Sequence, residues 1–254
     1  PTRRSSDLFM MLSGINYTLL YLSVFKGRIR RLFSNPELQT YLIIFSLSAF
    51  ACIVFLMLEN HGEDIESSFR QALFTTISLQ TTTGFANCDY TLWPAMLMPI
   101  LLFLMFAGAC SGSTSGGFKC IRWAILWDLL HNEFTRILHP RAVIPVKLHG
   151  EVIPSAIQKT ELAFTALFVG LMFVGAFLLN FCNIDIATHY TEEMSLSLSS
   201  ISNVGPAMGY YGPAHSWAII SPMAKIICSF LMLIGRLEIF PIMLLFTRSF
   251  WKKG

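Results

Sequence analysis

The sequence predicts an all-α integral membrane protein with two parallel repeats. Each repeat is a spanning helix, a half-length re-entrant helix with a glycine-centred loop, and a second spanning helix. Three observations predict this: composition, the length of the apolar runs, and an internal symmetry. The 254 residues are 54% hydrophobic and 13% charged, whereas an ordinary soluble domain carries about 25% charged residues. Apolar runs at 40–58, 161–179 and 219–246 are long enough to cross a bilayer, and shorter or interrupted ones lie at 93–109 and 8–25.

The remaining composition is bland. Cys52, Cys88, Cys110, Cys120, Cys182 and Cys228 form no CxxC pair and read as small core-filling residues. The net charge of +3 does not call for nucleic acid, because the basic residues fall where membrane topology places them. No cofactor motif is present.

Residues 1–8 read as a non-native leader, resembling a translated sequencing adapter, and are set aside from fold reasoning. Residues 9–36 read as the end of a preceding repeat with a basic cytoplasmic linker. One full repeat then occupies 37–139, a cytoplasmic linker 140–158, and a second repeat with the C-terminus 159–254. Charge sets the orientation. Lys26-Gly-Arg-Ile-Arg-Arg31 is basic, hence inside, and the acidic 59–66 stretch is outside. Arg122, Arg136, Arg141 and Lys147 return the chain inside. Residues 183–193 are outside again, and Arg248, Lys252 and Lys253 put the C-terminus in the cytoplasm.

A shift of 121 residues superposes Gly84 on Gly205, Ser78 on Ser199 and Thr76 on Ser197. Both units run the same way, which counts against an inverted-repeat transporter. The segments before the two glycines are about a dozen residues long. As helices they rise ~18 Å, enough to enter a membrane but not to cross it. Ser195-Leu-Ser-Leu-Ser199 alternates like a strand, but a lone strand in lipid leaves its backbone unpaired, so helix is preferred. Glu192 and Glu193 suit the positive N-terminal end of that helix.

Such a half-helix aims its partially negative C-terminus at the membrane centre. The irregular backbone after it has free carbonyl oxygens, and rings of carbonyls can replace the hydration shell of an alkali cation. Gly84 and Gly205 can take the positive φ that turns neighbouring carbonyls inward. Either glycine alone is also compatible with an ordinary loop; the shared slot in two repeats favours a filter.

The run ending at Ala109 passes into Cys110-Ser-Gly-Ser-Thr-Ser-Gly-Gly117. Four glycines between 108 and 117 and four hydroxyl side chains cannot sustain a helix cheaply. This tract reads either as a mobile gate below the filter or as a plain helix break. Arg236, inside the last apolar run, lies 31 residues after Gly205, while the tract spans 28–33 residues after Gly84. The two should therefore share a depth. Arg236 can serve the pathway, pair with Glu238, or snorkel to the interface.

Thr81-Thr-Thr-Gly-Phe85 and Ser202-Asn-Val-Gly-Pro206 resemble the third and fourth filter segments of Trk-type proteins in the Trk/Ktr/HKT potassium transporter superfamily. Gly112-Ser-Thr-Ser-Gly-Gly-Phe-Lys119 resembles their interrupted helix, and Gly235-Arg-Leu-Glu-Ile-Phe-Pro241 with Phe250-Trp-Lys-Lys253 their last pore helix and C-terminus. Ser13-Gly-Ile-Asn-Tyr17 resembles the end of their second repeat. The resemblance implies potassium-channel-like repeats, four around one pore, of which this chain carries two.

It also implies filter residues Thr82, Thr83, Gly84, Phe85, Asn203, Val204, Gly205 and Pro206, which would hold potassium through backbone carbonyls. The implied gate is Gly112, Ser113, Thr114, Ser115, Gly116, Gly117 and Arg236. The setting it implies is the bacterial cytoplasmic membrane, as a homodimer surrounded by lipid and regulated by a cytosolic nucleotide-binding subunit. Pro206 stands where the family's fourth filter segment has an aromatic, so the pore would be asymmetric.

Two other functions compete. Gly108-Ala-Cys-Ser-Gly112 mimics a nucleophile turn, but an intramembrane hydrolase needs a base within hydrogen-bond reach. All six histidines (His61, His131, His139, His149, His189, His215) fall in expected loops or helix ends, and no enzyme is expected. A sodium- or proton-coupled cation symporter on the same scaffold is the other reading.

Overall fold

The structure, a computed structural model, describes residues 2–27, 32–59, 65–139, 147–148, 151–183, 189–247 and 251. Several charged stretches that set the expected orientation (28–31, 60–64, 140–146, 184–188, Arg248, Lys252 and Lys253) lie outside the described residues, as do His61 and His149.

The described residues include ten α-helices: α1 (Thr2–Ser13), α2 (Tyr17–Phe25), α3 (Pro36–Glu59), α4 (Ile65–Gln80), α5 (Met98–Ala107), α6 (Cys120–Leu138), α7 (Ser155–Cys182), α8 (Tyr190–Ser202), α9 (Pro222–Arg236) and α10 (Ile239–Leu245). The one sheet among the described residues is a hairpin of two-residue strands, β1 (Lys147–Leu148) against β2 (Glu151–Val152), within the expected linker. Residues 2–8, read as a leader, begin α1, and α7 starts inside the span assigned to the linker.

Among the described residues, two helices are long and apolar enough to cross a membrane, α3 and α7. They open the two repeats. The half-helices α4 and α8 follow them, with 16 and 13 residues. These rise roughly 24 and 20 Å, so α4 is longer than the dozen residues expected. Ser195–Ser199 is helical despite its period-two pattern, because α8 is buried on every side from Ser195 to Ser202. Its backbone must therefore bond within itself.

Two apolar runs that read as single stretches are sharply bent. Ser5–Ser13 meets Tyr17–Phe25 at 111°, and Pro222–Arg236 meets Ile239–Leu245 at 113°. At the second bend Glu238 takes φ 62°, and Pro241 has no N–H to offer the Leu237 carbonyl four residues back. The third interruption, 108–119, separates α5 from α6. His131 lies inside α6, not at a helix end as expected, because that helix runs on to Leu138.

Helices in lipid gain little from hydrophobic association, so they associate through close packing of small residues. The serines of α8 supply this. A Cβ on Gly175 of α7 would overlap Ser197 Oγ, and one on Gly235 of α9 would overlap the Ile201 carbonyl. Ser197 Oγ also donates to Met172 O at 2.8 Å. In α5, Leu101, Leu104, Met105 and Ala107 are fully buried, beside Phe118, Phe164 and Phe168, while Phe103 faces outward. Outward faces stay apolar, as at Ile43, Leu47 and Phe50 of α3 and Phe173, Phe177 and Phe181 of α7.

Candidate functional site

The two half-helices end in the same way. Thr82 (φ 53°) and Asn203 (φ 57°) take left-handed conformations at the C-termini of α4 and α8. Their N–H groups donate to Leu79 O and Ser200 O, both at 3.2 Å. Asn tolerates this region, but for a β-branched Thr it is strained, by about 1–3 kcal/mol. Two residues on, Gly84 (φ 76°) and Gly205 (φ 115°) also have positive φ.

A serine clamps each loop. Ser78 O accepts from Thr83 N–H at 2.9 Å, and Ser199 O accepts from Val204 N–H at 3.0 Å. The Ser78 hydroxyl donates to Phe85 O at 2.6 Å, and that of Ser199 to Pro206 O at 2.8 Å. The sequence repeat paired these serines without assigning them a role. The clamp turns the Phe85 and Pro206 carbonyls toward their own helix. Among the described residues, no donor is bonded to the carbonyls of Thr82, Thr83, Gly84, Asn203, Val204 or Gly205. These two triplets are the open oxygens of the site.

The loops meet each other. A Cβ on Gly84 would overlap the Val204 carbonyl oxygen, whereas one on Gly205 would find nothing within 4 Å. Gly205 faces a cavity of about 330 Å³, which Gly84, Pro206, His215 and Trp217 also line. Behind the second loop, Glu193 lies with Glu192 in the first turn of α8, as expected, and is fully buried. It accepts from Tyr211 Oη at 2.7 Å and Asn183 Nδ2 at 3.2 Å. Glu192 takes the N-terminal role, accepting from His189 N–H at 3.2 Å. Tyr90, at the slot matching Tyr211, instead donates to Ala207 O at 3.1 Å and ties the two repeats together.

The interruption at 108–119 lies against both loops. Gly116 N–H donates to Thr82 Oγ1 at 2.7 Å, which offsets part of the strain at Thr82. A Cβ on Gly116 would overlap the Ser202 carbonyl. From the opposite side, Tyr17 N–H reaches Gly112 O at 3.2 Å and Cys110 N–H reaches Gly14 O at 3.0 Å, so the bend between α1 and α2 supports the segment. Arg236 Nη1 donates to Thr114 O at 3.0 Å. Arg236 makes no ion pair with Glu238; the pairs among the described residues are Arg70–Glu66, Arg122–Glu161 and Arg136–Glu133.

Inside the segment, the Ser113 and Ser115 hydroxyls are 2.9 Å apart and Lys119 Nζ reaches Ser115 O. A cavity of about 150 Å³ separates the segment from α7 and the α9–α10 bend, with Lys119, Arg122, Arg236 and Glu238 on its walls. The residues read as filter and those read as gate thus form one contiguous site. Sequence reading missed Thr82 Oγ1, the Ser78 and Ser199 clamps, Lys119, and Glu37, which accepts from Ser111 N–H.

The sequence model of the TrkH family, described as cation transport protein, matches residues 6–253. The chain is 33% identical over 246 residues to the Trk system potassium uptake protein TrkH of Halomonas elongata, covering 96% of this chain and 49% of that protein. It is 30% identical to the protein of the same description from Salmonella typhimurium, covering 97% of this chain and 50% of the relative. The chain therefore spans about half the length of these relatives. The crystal structure of the potassium transporter TrkH from Vibrio parahaemolyticus superposes with a TM-score of 0.89 at 29% identity, covering 98% of this chain and 53% of that one. With the matched family model running nearly the whole length and the fold shared, the chain belongs to the TrkH family of membrane cation transport proteins.

Proposed function

We propose that this chain contributes the third and fourth filter segments of a four-repeat potassium-uptake pore, closed from below by the 112–117 loop and Arg236. One observation carries the reading: two serine-clamped loops with open carbonyls converge directly on a glycine-rich interruption. Carbonyls aimed into a water-accessible space replace the hydration of an alkali cation, and each half-helix adds its negative end. The names of the relatives supply potassium as the cation. With the Phe85 and Pro206 carbonyls clamped, Thr82, Thr83, Gly84, Asn203, Val204 and Gly205 are the residues that would hold the ion.

Arg236 fits a closed gate. It fastens Thr114 by a hydrogen bond and also puts a positive charge on the ion path, which repels a cation there. The proposal includes the bacterial cytoplasmic membrane with the C-terminus inside, a homodimer, and a cytosolic nucleotide-binding regulatory subunit. The test is ion flux by the full-length protein in liposomes, rubidium against sodium, beside the 254-residue chain alone. Selective rubidium uptake is expected of the first and no selective uptake of the second. Selective uptake by the isolated chain as a monomer would refute the four-repeat reading.

A further inference from the structure

At the first turn of α3 a carboxylate is buried where nothing in the pore chemistry asks for one. Glu37 is 3% exposed. Its Oε1 accepts from Ser111 N–H, and the Ile121 backbone N–H and the Lys119 ammonium lie close enough to favour its charged form. Asn35 Oδ1 accepts from Glu37 N–H at 2.9 Å and fixes the turn that presents it. Ser111 and Ile121 are the two flanks of the interruption between α5 and α6. One side chain therefore ties the entry and the exit of the loop to the spanning helix that opens the repeat.

The internal symmetry makes this contact specific to one repeat. The position matching Glu37 is Gln158, whose Nε2 donates to Ile153 O at 2.8 Å, within its own turn. The second repeat bends at Leu237 and Glu238 without a comparable loop. The buried acid is present where a loop must be held and absent where none exists. Burying a carboxylate is tolerated only with good partners, and here the partners are the loop's own backbone.

We propose that Glu37 is the positioning residue of the gate: its carboxylate pins both flanks of the 112–117 loop, so that leaving the closed position requires releasing it. This rests on the gate reading above. Charge-assisted bonds to backbone N–H groups are among the stronger hydrogen bonds. In Glu37→Gln one acceptor oxygen becomes an amide NH₂ facing a backbone N–H. The loop should then leave the closed position more readily, without any change at the filter.

The experiment uses the full-length protein in liposomes, with rubidium flux per molecule of reconstituted protein, the rubidium-to-sodium ratio, and alkylation of Cys110 and Cys120 by a water-soluble reagent. Both cysteines are fully buried beside the loop and report its release. Glu37→Gln should raise basal flux on the order of tenfold, speed alkylation of both cysteines, and leave the ion ratio unchanged. If Glu37→Gln does not give folded protein, Glu37→Asp keeps the charge but is too short to reach both flanks, and should raise flux less.

Deletion of 113–116 in the same liposomes separates the two hypotheses. A deletion that raises flux beside a Glu37 variant that does not would overturn the anchor and leave the gate standing. No rise in either would defeat the gate reading and the anchor with it. A raised flux with a lost ion ratio would show that Glu37 acts through the filter, which also overturns the inference.

Discussion

Gly116→Ala is the sharpest perturbation the site offers. Gly116 does not have a positive φ, so alanine adds a methyl group without left-handed strain. That methyl would overlap the Ser202 carbonyl oxygen and sit 3.2 Å from Asn203 Cβ. Carbon and carbonyl oxygen settle at about 3.3 Å or more, so the loop must retreat by about 1 Å. The bond from Gly116 N–H to Thr82 Oγ1, now 2.7 Å, would lengthen to roughly 3.7 Å and cease to be one. A lost bond of about 1 kcal/mol and the lower range of overpacking, also about 1 kcal/mol, sum to about 2 kcal/mol against the closed loop. If the loop is the gate proposed above, that shifts the closed-to-open ratio by about 30-fold. Rubidium flux per reconstituted molecule should rise accordingly. Gly170→Ala in α7, where a Cβ meets nothing within 4 Å, serves as the control and should change nothing. Folded Gly116→Ala protein with flux at or below wild type would refute the reasoning, because the loop would then not block the path.

The two glycines proposed for the filter should respond unequally. Gly84→Ala combines left-handed strain of about 1–2 kcal/mol with overlap of the Val204 carbonyl, so it should lower both melting temperature and rubidium-over-sodium preference. Gly205→Ala carries strain but no collision, and should lose preference with a smaller thermal shift; equal thermal shifts would count against this packing. Arg236→Ala removes the bond to Thr114 O and the charge, and should raise basal flux, adding little to a deletion of 113–116. A loss of folded protein without greater flux per molecule would mark Arg236 as structural instead.

Much of this architecture is written in local chemistry and could be read along the chain. The spans α3 and α7 follow from uninterrupted apolar residues, which water excludes whatever their neighbours are. Gly84 and Gly205 follow from repetition at the same slot, and the break, read after Ala109 and found two residues earlier after Ala107, follows from glycines and hydroxyls that disfavour helix. What the sequence by itself could not decide depends on groups far apart in the chain. The 113° bend is set at Glu238 and Pro241, inside a run apolar enough to look continuous. Thr82 takes a conformation its own side chain disfavours, and its partner is Gly116, 34 residues away. Ser111 meets Glu37 across 74 residues and Arg236 meets Thr114 across 122. Hydropathy and glycine content act within a few residues and leave a periodic signature. A hydrogen bond between distant backbone and side-chain groups leaves none, because any polar residue brought to that place by the packed helices could make it. The tertiary structure therefore decided how the loop is held beneath the carbonyls, and by which side chains.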